Sequence, residues 1–167
     1  MTGAPADYCP DCGTATEARE SEARERRFCP GCAQFVWQNP VPVGTVVVSD
    51  GAEALFVRRS MSPDEGQWDL PGGFIEVDET PAVGVARELE EETRVAVDPD
   101  ALTLCGVGHE QRGDRYLLPV VYTVDRATTT GEPVAGSDAD AARFARPDDL
   151  DPLRDVALSR YQLSRDW

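Results

Sequence analysis

Lysine is absent from this chain, and all 16 of its basic residues are arginine. Against them stand 31 acidic residues, for a net charge of −15. So few cations exclude general binding to nucleic-acid backbones, which depends on dense Lys and Arg. Histidine occurs once, at His109. Acid–base work therefore falls first to carboxylates, with His109 a loop residue that contacts substrate or solvent. No apolar run approaches the ~18 residues of a membrane span, which argues against a membrane partner. The N-terminus carries no signal-peptide pattern, so a cytoplasmic location is expected. No segment repeats another, which leaves repeat architectures aside.

What is present points to one ordinary domain and a small appendage. The 167 residues are 41% apolar, enough for a packed core. The high acidic count, the missing lysine and the abundance of alanine, valine and aspartate resemble proteins of halophiles. Molar salt shortens the Debye length to ~3 Å and makes such self-repulsion tolerable. An acidic protein from a GC-rich genome is the alternative.

Four of the five cysteines come as two pairs, Cys9-Pro-Asp-Cys12 and Cys29-Pro-Gly-Cys32, with 16 residues between them. This C-x2-C…C-x2-C pattern reads as a four-cysteine zinc ribbon. Two disulfides are the alternative, disfavoured in a cytosolic chain. Four thiolates fill a tetrahedral Zn²⁺ site, so the metal is expected to be structural. Residues 1–40 are assigned to this ribbon and 41–167 to the main domain. Forty residues bury little on their own, and zinc is expected to supply part of the folding energy. The charged spacer Thr14–Arg27 is predicted to be a solvated hairpin or loop. Cys105 lies outside the set and is expected to be a buried apolar thiol.

The chain is organised around GGFIEVDETPAVGVARELEEETRV, Gly72 to Val95. Thr80-Pro81 is a helix start, with a capping hydroxyl followed by proline where its missing N–H costs least. The helix is predicted to run to about Thr93. Residues three and four apart share a face, so Glu88, Glu91 and Glu92 project together. Ala82, Val85, Ala86 and Leu89 form a separate apolar stripe. A row of like charges is stabilised by a hard divalent cation, Mg²⁺ or Mn²⁺, or else it is a solvated acidic face. Gly72-Gly73, which lets backbone approach a ligand closely, favours the first reading.

This spacing resembles the Nudix box, G-x5-E-x7-R-E-U-x-E-E-x-G-U, where U is aliphatic. It reads here as Gly73, Glu79, then Arg87-Glu88-Leu89-Glu90-Glu91-Glu92-Thr93-Arg94-Val95. One position departs: Arg94 stands where the family has glycine. A non-glycine residue with positive φ costs ~1–2 kcal/mol, so a modest loss of stability or a reshaped turn is expected there. The resemblance implies an α/β fold, an α/β/α sandwich with a mixed sheet. It implies hydrolysis of a nucleoside diphosphate linked to another moiety, with a small nucleotide as the partner molecule. It places Mg²⁺ or Mn²⁺ on Glu88, Glu91 and Glu92, with a carbonyl of Gly72 or Gly73 as a further ligand. Arg87 and Glu79 pair to brace loop against helix. The general base is expected to be Glu92 or Glu91, with Asp138 or Asp140 on a later loop as alternatives.

Around the box, Val43–Ser49 and Ala54–Arg59 read as a hairpin across Asp50-Gly51. Phe74-Ile75-Glu76 is predicted to be a short strand. Leu102–Gly108, Tyr116–Val124 and Ala141–Ala145 are predicted strands, His109–Arg115 a polar loop, and Pro152–Arg165 a C-terminal helix. Arg58 and Arg59 are candidates for substrate phosphate, with surface charge as the alternative. Trp68, Phe74, Tyr116 and Tyr122 are candidates to stack a base, though each reads first as a packing residue.

A zinc ribbon ahead of such a domain resembles the NADH pyrophosphatase and ADP-ribose pyrophosphatase branch. The S-Q-P-W-P-F-P-x-S motif of the NADH enzymes is missing after the box. ADP-ribose or a related adenine pyrophosphate is therefore the expected substrate. Hydrolysis of nucleoside triphosphates or dinucleoside polyphosphates, and a non-catalytic ADP-ribose sensor, are the other readings. Zinc ribbons often mediate dimer contacts, so a homodimer is a further expectation.

Overall fold

The computed structural model describes residues 5–165. They form two compact units. One holds the described residues up to Val41 together with His109–Leu118; the other holds Pro42–Gly108 and Pro119 onward. The segment 109–118 thus groups with the N-terminal residues, where a division at residue 40 would separate them.

The first unit is built on three antiparallel strands, β1 (Glu17–Ser21), β2 (Arg24–Cys29) and β3 (Gln34–Val36). The charged spacer is a hairpin, with Ser21 opposite Arg24 and Glu17 opposite Phe28. Glu22 and Ala23 make its turn, both with positive φ. Phe28 meets Phe35 edge-on at 5.2 Å, and Phe35 lies 6.1 Å from Trp37.

The second unit begins with β4 (Val41–Asp50) and β5 (Glu53–Arg59), joined by the Gly51 turn at φ 61°. Two short strands follow, β6 (Trp68–Asp69) against β5 and β7 (Gly72–Phe74) against β4. The short strand predicted at Phe74–Glu76 is displaced toward the glycines, because Gly72 pairs with Thr45 and Gly73 with Gly44. Helix α1 (Pro81–Thr93) comes next, then β8 (Thr103–Val107). Strand β9 (Glu110–Arg112), in the segment that groups with the first unit, pairs with the start of β10 (Arg115–Asp125), whose residues from Pro119 on belong to the second. The chain closes with β11 (Ala139–Ala145) and helix α2 (Asp155–Arg165). The main path of the sheet runs β11-β5-β4-β10-β8.

The expected α/β architecture with a mixed sheet and two helices is therefore present. Strand alternation explains its layers. Val46, Val48 and Leu55 face one way and meet Val85 and Leu89 of α1, with Tyr122 and Val124 of β10. Val47, Ala54 and Phe56 face the other way and meet Ala157 and Tyr161 of α2. Gly44 lets α1 lie close, since a Cβ there would overlap the Val85 side chain.

The predicted polar loop 109–115 contains a strand instead. Arg112 pairs with Arg115 across the turn at Gly113, whose φ is 62°. Buried Cys105 is 2% exposed, as an apolar thiol should be.

Candidate active site

Thr80 caps α1 by accepting the Val83 N–H at 3.4 Å, with Pro81 in the first turn. At the other end Arg94 holds the left-handed conformation, φ 61° and ψ 12°, and its N–H donates to the Glu90 carbonyl. The turn a glycine would make is thus made by arginine, without reshaping. Two more N–H groups cover carbonyls of the last turn: Val134 donates to Thr93 at 2.8 Å and Gly136 to Glu92 at 2.9 Å. The segment leading to β11 is thereby fixed to the end of the acidic helix.

Strand β7 runs beneath the helix's acidic face. Gly72 sits at φ 152°, and a Cβ there would overlap the Gly44 carbonyl. A Cβ at Gly73 would overlap the carboxyl group of Glu88. Glycine at both positions lets main chain and carboxylates approach. The Gly72 N–H donates to Glu92 Oε2 at 2.9 Å.

Arg87 is the hub of the site. Its Nη2 donates to Glu79 Oε1 at 2.7 Å and its Nε to Glu79 Oε2 at 3.1 Å, a two-point fork. Nη2 also donates to the Phe74 carbonyl at 3.1 Å. Nη1 donates to Glu88 at 2.9 Å and to Glu91 at 3.2 Å. Glu79 further accepts the Glu76 N–H at 2.9 Å, which closes the loop onto the helix. Arg87 holds the Glu79 carboxyl below the usual carboxylate range.

The three aligned glutamates differ in setting. Glu91 is half exposed. Burial raises the Glu88 carboxyl above its ordinary value, against the pull of Arg87. Burial also pushes Glu92 up to about 8, with the charges of Glu88 and Asp69 adding to it and the Gly72 N–H and Arg59 opposing it. Crowded oxygen donors held in this way fit a hard divalent cation. They are not yet gathered around one point. Among the described residues, the acidic or cysteine group whose ligand atoms all lie within 4.8 Å of one another is the cysteine set.

The other candidates are dispersed. Arg59 acts on Glu92 through its charge, and its Nε donates to the Pro63 carbonyl at 3.0 Å. Arg58 donates to Asp140 at 2.6 Å. Phe74 is exposed, whereas Trp68 is buried and faced by the guanidinium of Arg143 at 4.9 Å. Tyr116 belongs to the first unit and lies 5.5 Å from His109. Sequence reasoning missed Asp69 and Arg154, a buried ion pair. Arg154 also reaches Asp64 at 3.2 Å. Asp69 and Arg154 lie 85 positions apart, and no local pattern marks such a pair.

In the first unit the four sulfurs of Cys9, Cys12, Cys29 and Cys32 converge. Cys9 and Cys32 are 3.9 Å apart, and Cys12 and Cys29 are 3.5 Å apart. Thiolates ~2.3 Å from a tetrahedral zinc lie about 3.8 Å from one another, so the set fits Zn²⁺. The Cys12 thiol is held down to about 6 by the Thr14 hydroxyl and backbone, while Cys12 itself holds the Cys32 thiol up.

Comparisons with known proteins agree with this geometry. A family model described as the NUDIX domain matches residues 38–167. A MutT-like protein of Streptomyces ambofaciens is 36% identical over 110 residues, which span 66% of each chain. An ADP-ribose pyrophosphatase of Methanocaldococcus jannaschii is 32% identical over 131 residues, 76% of this chain and 72% of the relative. In three dimensions, a NUDIX hydrolase from Nitrosomonas europaea matches with a TM-score of 0.74 at 21% identity, over 94% of this chain and 89% of that one. The family model covers well over half of the chain, and the chain belongs to the Nudix hydrolases.

Proposed function

We propose that the chain hydrolyses the pyrophosphate of a nucleoside diphosphate linked to another moiety, with an ADP-ribose-like substrate and Mg²⁺ or Mn²⁺. The observation that carries this reading is the convergence of Glu88 and Glu92 on Gly72-Gly73, braced by the Arg87–Glu79 fork. The name of the archaeal relative supports the substrate class.

Glu88, Glu91 and Glu92 hold the divalent ion, with a carbonyl of Gly72 or Gly73. When bound, the ion offsets phosphate charge and lowers the pKa of a coordinated water. Arg87 and Glu79 position the helix against the loop without touching substrate. Arg59, whose charge reaches Glu92, and exposed Phe74 fit contacts to phosphate and base. The burial of Trp68 and the pairing of Arg58 with Asp140 support packing and positioning roles for those side chains. Glu91 or Glu92 takes the proton of the attacking water; Asp140 and Asp138 are the loop alternatives. Residues 1–40 serve as a zinc ribbon with a structural metal.

The test is hydrolysis in molar KCl with Mg²⁺ or Mn²⁺, offering ADP-ribose, NADH, diadenosine polyphosphates and oxidised dGTP. ADP-ribose should be turned over, and Glu91→Gln should lower kcat by ~10²–10⁴. Full turnover by Glu91→Gln with loss in Asp140→Asn would move the base to the loop. Binding of ADP-ribose without turnover would make the protein a sensor.

A further inference from the structure

A cavity of about 360 Å³ lies within the first unit, at the end of the three-stranded sheet. Arg24, Arg26 and Arg27 line it with Trp37; the one acid in its lining is Glu25. In a chain of net charge −15, three arginines lining one cavity stand out, although the Arg27 guanidinium is already paired with Asp7 at 3.1 Å.

The sheet explains why they meet. Arg24, Arg26 and Phe28 alternate onto one face of β2. Arg19 lies opposite Arg26 and stacks over the Phe28 ring at 3.3 Å. The β2–β3 pairing sets Phe28 opposite Phe35 and Arg27 opposite Val36. Trp37 follows, and the Arg26 guanidinium lies 4.6 Å from its ring centre. The result is a face of alternating aromatic rings and arginines.

Two donors on this face are unmet. The Nε of Arg26 is buried and has no hydrogen-bond partner among the described residues. Arg24 is exposed and makes no ion pair among the described residues. The Glu22 carboxylate that Arg26 does hold, at 3.0 Å, is 76% exposed and readily displaced. Trp37 keeps 53% of its surface open, unusual for an indole in a small unit. An oxyanion satisfies the guanidiniums, and a flat ring covers the indole. The volume lies within the range of small-ligand sites.

We propose that this cavity binds a nucleotide, its phosphate on Arg24 and Arg26 and its base on Trp37. The site lies outside the hydrolytic one and does not rest on the reading given for that site. Free nucleotide and the end of an oligonucleotide share this chemistry; the cavity size favours the free mononucleotide.

The test is calorimetric titration of the zinc-loaded full chain with AMP, inorganic phosphate and a trinucleotide. AMP should show a binding event that Arg24→Ser and Trp37→Leu each weaken by about 10-fold. The kcat/KM of both variants on the hydrolysed substrate should stay unchanged. Arg24 is exposed and makes no ion pair among the described residues, so its variant separates lost binding from lost folding. AMP binding untouched by Arg24→Ser would overturn the proposal. Inorganic phosphate binding as tightly as AMP would reduce it to a bare anion site. A trinucleotide binding more than about 10-fold tighter than AMP would overturn the assignment to a free nucleotide.

Discussion

The two units of this molecule solve the same stability problem by opposite means. In the second, a sheet buried on both faces carries two apolar clusters, one under each helix. In the first, the buried apolar side chains of the three-stranded sheet are Phe28 and the cysteine at its end, Cys29, with Cys9 beside them. A sheet of so few residues covers little apolar surface, and four converging sulfurs take the place of a core. The difference teaches that cohesion in this chain is local. A residue's importance depends on whether it serves a core of rings and methyl groups or a cluster of sulfurs.

The comparison breaks most visibly if the zinc proposed for the cysteine set is withdrawn. Structural zinc contributes ~10–16 kcal/mol in small metal-held units, so a strong chelator should unfold the first unit outright. Limited proteolysis should then cut within residues 5–41 while the second unit resists. A first unit still protected after complete zinc release would end the contrast. From the other side, Leu89→Ala removes a fully buried side chain at the α1 contact. It should cost ~2–5 kcal/mol in chemical denaturation and leave zinc retention unaltered. Coupled loss of zinc would show that one core serves both units. The smallest effect belongs to Arg94. Replacing it with glycine relieves the left-handed strain and should raise stability by about 1 kcal/mol, with no change in metal dependence. A destabilised Arg94→Gly would mean that the side chain's own contacts outweigh the strain.

Much of this was legible in the sequence, for identifiable reasons. Helix α1 has a cap, an initiating proline and a clean apolar stripe, and it lies where those signals put it. The hairpin of β4 and β5 follows from two β-branched, apolar runs across Asp50-Gly51. The cysteine knot needed only its spacing. Strand β9 was hidden because Glu110-Gln111-Arg112 has no apolar alternation; its pairing with Arg115–Leu117 makes it a strand. The Asp69–Arg154 pair and the Arg58–Asp140 pair were hidden for a different cause. Each joins elements more than 80 residues apart, and no local pattern marks a long-range ion pair. Burial decided the fate of the aromatic candidates. Trp68 and Phe74 look alike as ring-bearing neighbours of the diglycine, yet one is in the core and the other faces solvent.

Arg87 has a consequence for how the molecule comes into being. Its guanidinium already answers Glu79, Glu88 and Glu91, so the acidic helix never stands as a bare row of negative charge. The second unit therefore leaves the ribosome with an internal counter-ion of its own. This unit is therefore expected to fold without the divalent ion proposed for its carboxylates. Synthesis of the unit and loading of that proposed ion would then be separate events in time, the abundance of one not bound to the abundance of the other.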